Sequence, residues 1–303
     1  MKKYILIISF LLSGFLVWYL FIKPYDYLVT FKAKTIPGVI NQSLKLWNSS
    51  LEGAKIESSE DILNLNQTVR YNDSTFLYQY NIEPINDSTS MVKVYITDKE
   101  HSIQNRLTHP FNHTDFEKRV KNSMVDFSDK LKEHISRYKV KIEGESEIKE
   151  VFCAYISIEC KQVEKALGMM KNFTLLSSTL LANKIELTGK PFISVNNWDM
   201  KNDRIQFDFC YPIKNNDSLF QHPMISFKTI NRKKALKAIY NGNYITSDRA
   251  WYALLDYADK NNITVEKKPF EVFHNNPNMG GDELQWMTEI YMPISDESLT
   301  VAK

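Results

Sequence analysis

The C-terminal half contains one pattern twice. Lys190-Pro-Phe192 is followed by Ile205-Gln-Phe-Asp-Phe-Cys-Tyr-Pro-Ile213, and Lys268-Pro-Phe270 is followed by Trp286-Met-Thr-Glu-Ile-Tyr-Met-Pro-Ile294. The offset between the copies is 78 residues at the Lys-Pro-Phe motif and 81 residues at the final isoleucine. The pattern therefore predicts one structural unit that occurs twice, with three extra loop residues in the second copy.

Each copy reads as a helix followed by strands. The predicted helices are Leu175–Lys184 and Ser247–Asn261, and each precedes a Lys-Pro-Phe motif. We expect two repeats, at about 148–214 and 224–295, whose sheets meet because either alone would leave an apolar face exposed. Small ligands often bind in the groove between two such units.

The composition bears on the class of partner. The 303 residues carry a formal net charge of +2, and 24% of them are charged, so we expect no nucleic-acid partner. The three cysteines show no C-x-x-C spacing, and we expect Cys153 and Cys210 to be buried thiols. His109-Pro-Phe-Asn-His113 with Asp115 lies in a loop before a helix, and we predict neither a metal site nor a cofactor there.

The N-terminus contains an apolar segment. Tyr4–Ile22 is nineteen residues without a charge, and at about 1.5 Å per residue it spans nearly 30 Å, the thickness of a bilayer core. A cleaved signal peptide is the alternative. The run is longer than a usual signal core, ends in Trp18, Tyr19 and Phe21, and lacks a small-x-small cleavage pattern. We therefore predict a membrane anchor through residues 4–22.

The flanking charges bear on orientation. Lys2 and Lys3 favour a cytoplasmic N-terminus, although Lys23, Lys32 and Lys34 on the other side weaken that bias. With this orientation the soluble part is extracytoplasmic, which means periplasmic in a Gram-negative bacterium.

The rest of the chain reads as an α+β protein with domains at 1–24 (anchor), 25–145 and 146–303. The stretch Lys141–Glu150 is short and charged, and we interpret it as the junction. In the first soluble domain the pattern predicts an early helix from Pro37 and a long amphipathic helix, Phe116–Tyr138. It also predicts strands at 27–33, 62–71, 75–82 and 91–97.

This first domain resembles the START/SRPBCC helix-grip superfamily in its element order and in Trp47 of the early helix. The resemblance covers about 115 residues and no diagnostic motif accompanies it. It implies a curved sheet around the long helix, with an apolar ligand between them. A small domain with a filled core is the open alternative.

The second half resembles the GyrI-like, or effector-binding, family, which also forms the ligand-sensing half of AraC-type and MerR-type regulators. The matching segments are Tyr240-Asn-Gly-Asn-Tyr244, Ala250-Trp-x-x-Leu-Leu255, Lys268–Phe273 and Thr288–Ile294. Where the family commonly has Gly-Pro-Tyr, this chain has Gly242-Asn-Tyr244.

The resemblance implies a site around an acid in the last strand, here Glu289, at the floor of a cleft that binds a hydrophobic, often cationic, compound. A carboxylate with few water neighbours favours a cation, and aromatic faces add attraction. The repeat offset of 81 places Asp208 at the position of Glu289. Both acids face one groove or, alternatively, both point to solvent. The candidate aromatic walls are Tyr244, Trp251, Phe273, Trp286 and Tyr291.

Three functions stay open. Regulators of this family carry a DNA-binding module where this chain has an anchor, so we predict a membrane-anchored small-molecule binder, a sensor or scavenger. Some family members hydrolyse electrophilic compounds, and Glu289 with Tyr244 or Tyr291 is the candidate pair, because burial is expected to raise the pKa of a glutamate. A protein-interaction module without turnover is the third.

Overall fold

The computed structural model describes residues 2–57, 61–215 and 219–295. The chain is α+β, as predicted, and it divides into two compact units, Met1–Lys132 and Glu133–Lys303. The predicted limits at residues 1 and 303 lie outside the described residues. The helices are α1 (Lys2–Val17), α2 (Pro37–Asn48), α3 (Ser102–Thr108), α4 (Asp115–Ser136), α5 (Lys165–Ala182) and α6 (Arg249–Lys260).

Thirteen named strands complete the part of the chain that the structure describes. They are β1 (Tyr27–Ala33), β2 (Ala54–Ile56), β3 (Asn64–Arg70), β4 (Thr75–Asn86), β5 (Thr89–Asp98), β6 (Lys139–Ile148), β7 (Val151–Lys161), β8 (Phe192–Asp199), β9 (Arg204–Pro212), β10 (Ser226–Ile230), β11 (Lys233–Asn241), β12 (Phe270–Phe273) and β13 (Met287–Pro293).

The N-terminal unit begins with the apolar segment. Helix α1 continues into one π-helical turn, Trp18–Ile22, and the combined span Lys3–Ile22 has a mean hydropathy of 2.5. No residue in this span is fully buried by the rest of the protein, and only its end, at Tyr19 and Leu20, is partly covered. By length and composition it is sufficient to cross a membrane, a test that a signal sequence also passes.

An antiparallel sheet in the order β1-β5-β4-β3-β2 forms the rest of this unit with α2, α3 and α4. Helix α4 lies on the sheet through the predicted apolar stripe. Phe127 is fully buried, and its ring lies 6.1 Å from that of Phe31 and 5.2 Å from that of Trp47. Phe116 makes an edge contact with Phe76 at 4.8 Å. The side chains between helix and sheet therefore pack directly against one another at these points.

The C-terminal unit is built on an eight-stranded antiparallel sheet in the order β10-β7-β9-β8-β12-β13-β11-β6. The order strand, helix, strand, strand occurs in it as β7-α5-β8-β9 and again as β11-α6-β12-β13. The two sets meet where β8 pairs with β12. Strand β6 pairs with β11 and β10 pairs with β7, so the strand before each set joins the other set.

Two elements of the C-terminal unit differ clearly from the sequence prediction. The charged stretch Lys141–Glu150 forms most of edge strand β6, since alternating charged residues suit an exposed edge. Helix α5 begins ten residues earlier than predicted, at Lys165. Gly168 does not interrupt the helix there. A Cβ at this position would approach the Ile158 side chain to 3.0 Å, so the glycine allows close packing of the helix on β7.

Candidate functional site

The two faces of the C-terminal sheet differ in what covers them. Helices α5 and α6 lie on the face that carries Phe207 and Glu271, because Gly168 of α5 is close to Phe207 and Trp251 of α6 donates a hydrogen bond to Glu271. We call this the helix face. Side chains alternate along a strand, so Asp208 and Glu289 point to the opposite side, which we call the acid face.

Trp251 and Phe273 lie on the helix face. Trp251 is fully buried and its indole Nε1 donates to Glu271 at 2.5 Å. Lys165 Nζ is 2.7 Å from the same carboxylate, and both charged side chains are fully buried. The buried Lys165–Glu271 ion pair, together with the Trp251 hydrogen bond, fixes how α5 and α6 pack on the sheet. These two aromatic side chains therefore do not line the same surface as Glu289.

Tyr244 and Trp286 pack beside Phe273. The Tyr244 ring lies 4.9 Å from the ring of Phe273 and 5.9 Å from that of Trp286. Its hydroxyl donates to the carbonyl oxygen of Asn275 at 3.0 Å, and all three rings are buried. The bonded hydroxyl and the buried ring give Tyr244 a packing role in this structure.

Glu289 lies on the acid face with three polar neighbours. Lys237 Nζ donates to Glu289 Oε1 at 2.8 Å, and the Tyr291 hydroxyl donates to Oε2 at 3.1 Å. His274 Nε2 is 3.5 Å from Oε2. The Glu289 side chain keeps 24% of its surface exposed, so it is accessible from this side. Glu143 Oε2 lies 3.6 Å from the same Lys237 ammonium group, which therefore has two carboxylate neighbours.

The pKa of Glu289 is lowered, not raised as burial alone would predict. Partial burial acts to raise it, but the hydrogen bond and the charge of Lys237 outweigh burial, and the Tyr291 hydroxyl adds to the lowering. The same pair raises the pKa of Lys237 despite its own burial. Glu289 is therefore an ionised acceptor at neutral pH, a state that suits cation binding better than proton donation.

Asp208 is the matching acid of the first set, but its surroundings are closed. Its side chain is only 4% exposed and accepts hydrogen bonds from Ser157 at 2.5 Å, Asn196 at 2.9 Å and Lys228. Lys228 Nζ also lies 4.8 Å from the centre of the Tyr155 ring. With three donors and almost no exposure, Asp208 is saturated by the protein itself.

Apolar side chains separate the two acids on the acid face. The buried rings of Phe192 and Phe270 lie 4.7 Å apart, and Phe270 contacts the half-buried Tyr291 at 6.1 Å. Asp208 and Glu289 stand on β9 and β13, three strand spacings apart. At about 4.8 Å per spacing they are separated by roughly 14 Å or more, so one compact charge contacts only one of them.

The neighbours of Glu289 could not be read from its motif. Lys237 stands on β11, directly opposite Tyr291 in the register, and Glu143 comes from β6, which sequence reasoning interpreted as a junction. Among the described residues, no group of three or more His, Cys, Asp or Glu side chains could hold a metal ion. His109 and His113 instead approach Glu117, at 3.9 and 2.9 Å.

One protein-family model matches the C-terminal part of the chain. The model of the GyrI-like small molecule binding domain matches residues 159–295. Residues 159–295 are therefore a GyrI-like domain, as predicted from the motifs. The matched segment begins within β7, so β6, which supplies Glu143, precedes it.

The solved structures that match parts of this chain have low identity to it. The C-terminal domain of EcmrR is 21% identical, with a TM-score of 0.43, and the match covers 52% of this chain and 98% of that one. EcmrR in a DNA complex is 20% identical (TM-score 0.44; 64% and 72% covered). SAV2435 bound to tetraphenylphosphonium is 12% identical (TM-score 0.34; 53% and 94% covered). None of the curated proteins matches the chain.

Proposed function

We propose that the GyrI-like domain binds a small hydrophobic cation at Glu289, on the acid face of its sheet. The observation that carries this proposal is the state of Glu289: ionised, partly exposed and bordered by the ring of Tyr291. A carboxylate beside an aromatic ring provides both charge and cation–π attraction. Trp251 and Phe273 act beneath the sheet as packing residues, and Tyr244 and Trp286 support the end of β13.

Lys237 occupies the place that a ligand cation would take. Its ammonium group is 2.8 Å from Glu289 and 5.5 Å from the centre of the Tyr291 ring. A ligand must therefore displace Lys237 from Glu289. Glu143, 3.6 Å from the same ammonium group, is the acceptor to which Lys237 turns, so that neither charge is left unpaired. Asp208, already saturated, serves as a structural acid in this proposal.

The test is a binding titration with a matched pair of probes. (3-Hydroxyphenyl)trimethylammonium and 3-tert-butylphenol have the same shape but differ by one positive charge. We expect the full-length protein in detergent to bind the cation at least about 10-fold more tightly, equivalent to roughly 1.4 kcal/mol. Equal binding of both probes, or of the neutral one alone, would overturn the proposal.

The pH dependence of this preference has a definite direction. The lowered pKa of Glu289 keeps the carboxylate ionised down to and below its ordinary value of about 4.3. The cation preference is therefore expected to be present at pH 5 and to disappear only at more acidic pH.

The remaining predictions extend this proposal to the whole chain. Residues 4–22 anchor the protein as a single membrane helix, and the soluble part is extracytoplasmic. The soluble part consists of a START/SRPBCC-like domain followed by a GyrI-like domain with repeats at 148–214 and 224–295. A boundary at 145/146 would divide β6, which pairs with β11, so the second domain begins before Lys139 in this proposal. The exchange of β6 and β10 between the two strand–helix–strand–strand sets supports a duplicated origin. No nucleic acid, metal or cofactor takes part.

Two other functions predict different experimental results. A hydrolase with Glu289 and Tyr244 would consume an electrophilic probe, and Glu289→Gln would abolish turnover. The lowered pKa of Glu289 argues against a proton-donating role for this residue. A protein-interaction module would bind neither probe.

A further inference from the structure

We propose that α3 and the turn after it rest on the lipid surface of the bilayer that holds α1. This proposal depends on the proposed membrane anchor, and it adds a second membrane contact made by the folded N-terminal unit. The occupant of this surface is lipid, and the contact would fix how the unit stands on the membrane.

Arg106 of α3 ties that helix to the end of the apolar span. Its Nη1 donates to the carbonyl oxygens of Tyr19 at 3.3 Å and Leu20 at 3.0 Å, and its Nε donates to Asp26 at 2.6 Å. The Arg106 side chain is only 6% exposed. The last carbonyl groups of a helix lack partners within the helix, and a cation also suits the negative end of its dipole. Ser102 adds a second contact from α3 to Asp26 at 2.6 Å.

The strand order places α3 at the same end of the sheet as the span. Strand β1 starts at Tyr27, five residues after the span, and leads away from it. Strand β5 is antiparallel to β1 and returns, so that Ile96 pairs with Tyr27. Helix α3 begins four residues after β5 ends, at Ser102. The β4–β5 turn, Asp87–Ser88, lies at the far end, beyond the pairing of Ala33 with Ser90.

Helix α3 and the turn after it expose three large apolar side chains. Ile103, Leu107 and Phe111 follow at steps of four and are 48%, 51% and 85% exposed. A surface cavity of about 610 Å³ lies beside Ile103 and Leu107. The step of four places Ile103 and Leu107 on one side of α3, and Phe111 follows in the turn after the helix. Exposed apolar side chains next to an apolar span favour the membrane interface.

The aromatic and basic residues at the exit of the span fit the same plane. Lys23 Nζ lies 5.2 Å from the centre of the Tyr19 ring and 4.4 Å from that of Tyr25. Aromatic and basic side chains of this kind mark the boundary between hydrocarbon and water. Arg106 binds the backbone of Tyr19, so α3 stands at the level of this boundary.

Nitroxide labels on the full chain in vesicles of phosphatidylcholine and phosphatidylglycerol test the proposal. A Cys160→Ser background leaves the buried Cys153 and Cys210. Single labels are introduced by Leu107→Cys and Phe111→Cys, with Phe10→Cys inside the span and Ser88→Cys at the far end as controls. Collision of each label with oxygen, which enters lipid, is compared with collision with a water-soluble nickel complex.

We expect labels 107 and 111 to favour oxygen, as label 10 does, and label 88 to favour the nickel complex. If labels 107 and 111 behave like label 88 while label 10 favours oxygen, the α3 contact is overturned and the anchor stands. If label 10 also favours the nickel complex, the anchor proposal fails, and the α3 contact fails with it. Cation binding at Glu289 is a separate measurement that neither outcome changes.

Discussion

In the proposed site, Lys237 is the internal competitor of a ligand cation for Glu289. In the resting protein its ammonium group holds the carboxylate at 2.8 Å, so every ligand cation must displace it. Glu289 and Lys237 are each partly exposed, and a pair of this kind contributes only modestly to stability. The main effect of Lys237 is therefore expected on ligand affinity and much less on folding.

Lys237→Met is expected to raise the affinity for (3-hydroxyphenyl)trimethylammonium by about 10-fold, because the internal competitor worth roughly 1.4 kcal/mol is removed. The affinity for 3-tert-butylphenol is expected to change little. Lys234→Met, which removes an exposed lysine three positions earlier on the same strand, is the matched control. A weaker affinity for the cation in Lys237→Met would show that Lys237 helps to hold the ligand.

His134 gives the C-terminal unit a dependence on pH. Burial and the neighbouring Arg249 lower the pKa of His134 to about 4, and its Nε2 accepts a hydrogen bond from Arg249 Nε at 3.2 Å. The unfolded chain, with an ordinary histidine pKa of about 6.5, takes up the proton first as pH falls. The stability due to neutral His134 is complete above pH 6.5 and is lost between pH 6.5 and 4.

The expected loss is about 3 kcal/mol of unfolding free energy between pH 7 and pH 4, from the two pKa values. His134→Gln retains an acceptor for Arg249 and does not titrate, so its unfolding free energy should fall less over this range. Denaturant unfolding of both proteins at several pH values measures the difference. Parallel pH profiles would contradict this role of His134.

The turn between β11 and α6 depends on one glycine. Gly242 has φ +155°, and a Cβ at this position would lie 2.6 Å from the Tyr240 hydroxyl and 2.7 Å from Tyr138 Cβ. Those rings stack at 5.7 Å and cannot both yield. These contacts make any residue larger than glycine unfavourable at position 242.

Gly242→Ala is expected to destabilise the protein by about 2–3 kcal/mol, from overpacking and an unfavourable backbone angle. Gly281→Ala is the matched control. Gly281 also has a positive φ, of +104°, but the nearest atom to its added Cβ is at 3.8 Å. Thermal unfolding should show a clear loss for Gly242→Ala and a smaller one for Gly281→Ala. Equal losses would mean that the steric contact does not matter.

Periodicity predicted most strands and helices, because it reports which face of each element is buried. The stripe of α4 from Phe116 to Leu131 and the strand Tyr27–Ala33 appear as predicted. The pairing of β6 with β11 could not be predicted, because it joins residues about ninety positions apart. The partners of Glu289 depend on that pairing and on the register of β11 with β13, so Glu289 could be predicted without Lys237 and Glu143.

The second limit on the sequence prediction was the face of the sheet on which each side chain lies. Strand alternation places Phe207 and Phe209 on the side opposite Asp208. In the β12–β13 register, Phe273 and Glu289 lie on opposite faces of the sheet. The sequence could not predict this register, because it depends on the long loop between the two strands. Aromatic content near a motif therefore did not distinguish a ligand wall from the core under α6.

The whole chain is expected to behave as an integral membrane protein. The apolar span is uncleaved in this proposal, so mass spectrometry of protein from the membrane fraction should detect the peptide containing residues 4–22. The protein should also resist extraction by alkaline carbonate, because a spanning helix of this length is held by the hydrophobic effect. A mature soluble protein that begins after the span would support the signal-peptide interpretation instead.

The central claim is that the charge of Glu289 selects a cation. The most direct measurement is the titration of (3-hydroxyphenyl)trimethylammonium and 3-tert-butylphenol into the wild-type protein, Glu289→Gln and Asp208→Asn. We predict that Glu289→Gln reduces the cation preference from about 10-fold to less than about 2-fold and leaves binding of the phenol intact. Asp208→Asn should retain the preference. A preference that survives Glu289→Gln would contradict the assignment of the site.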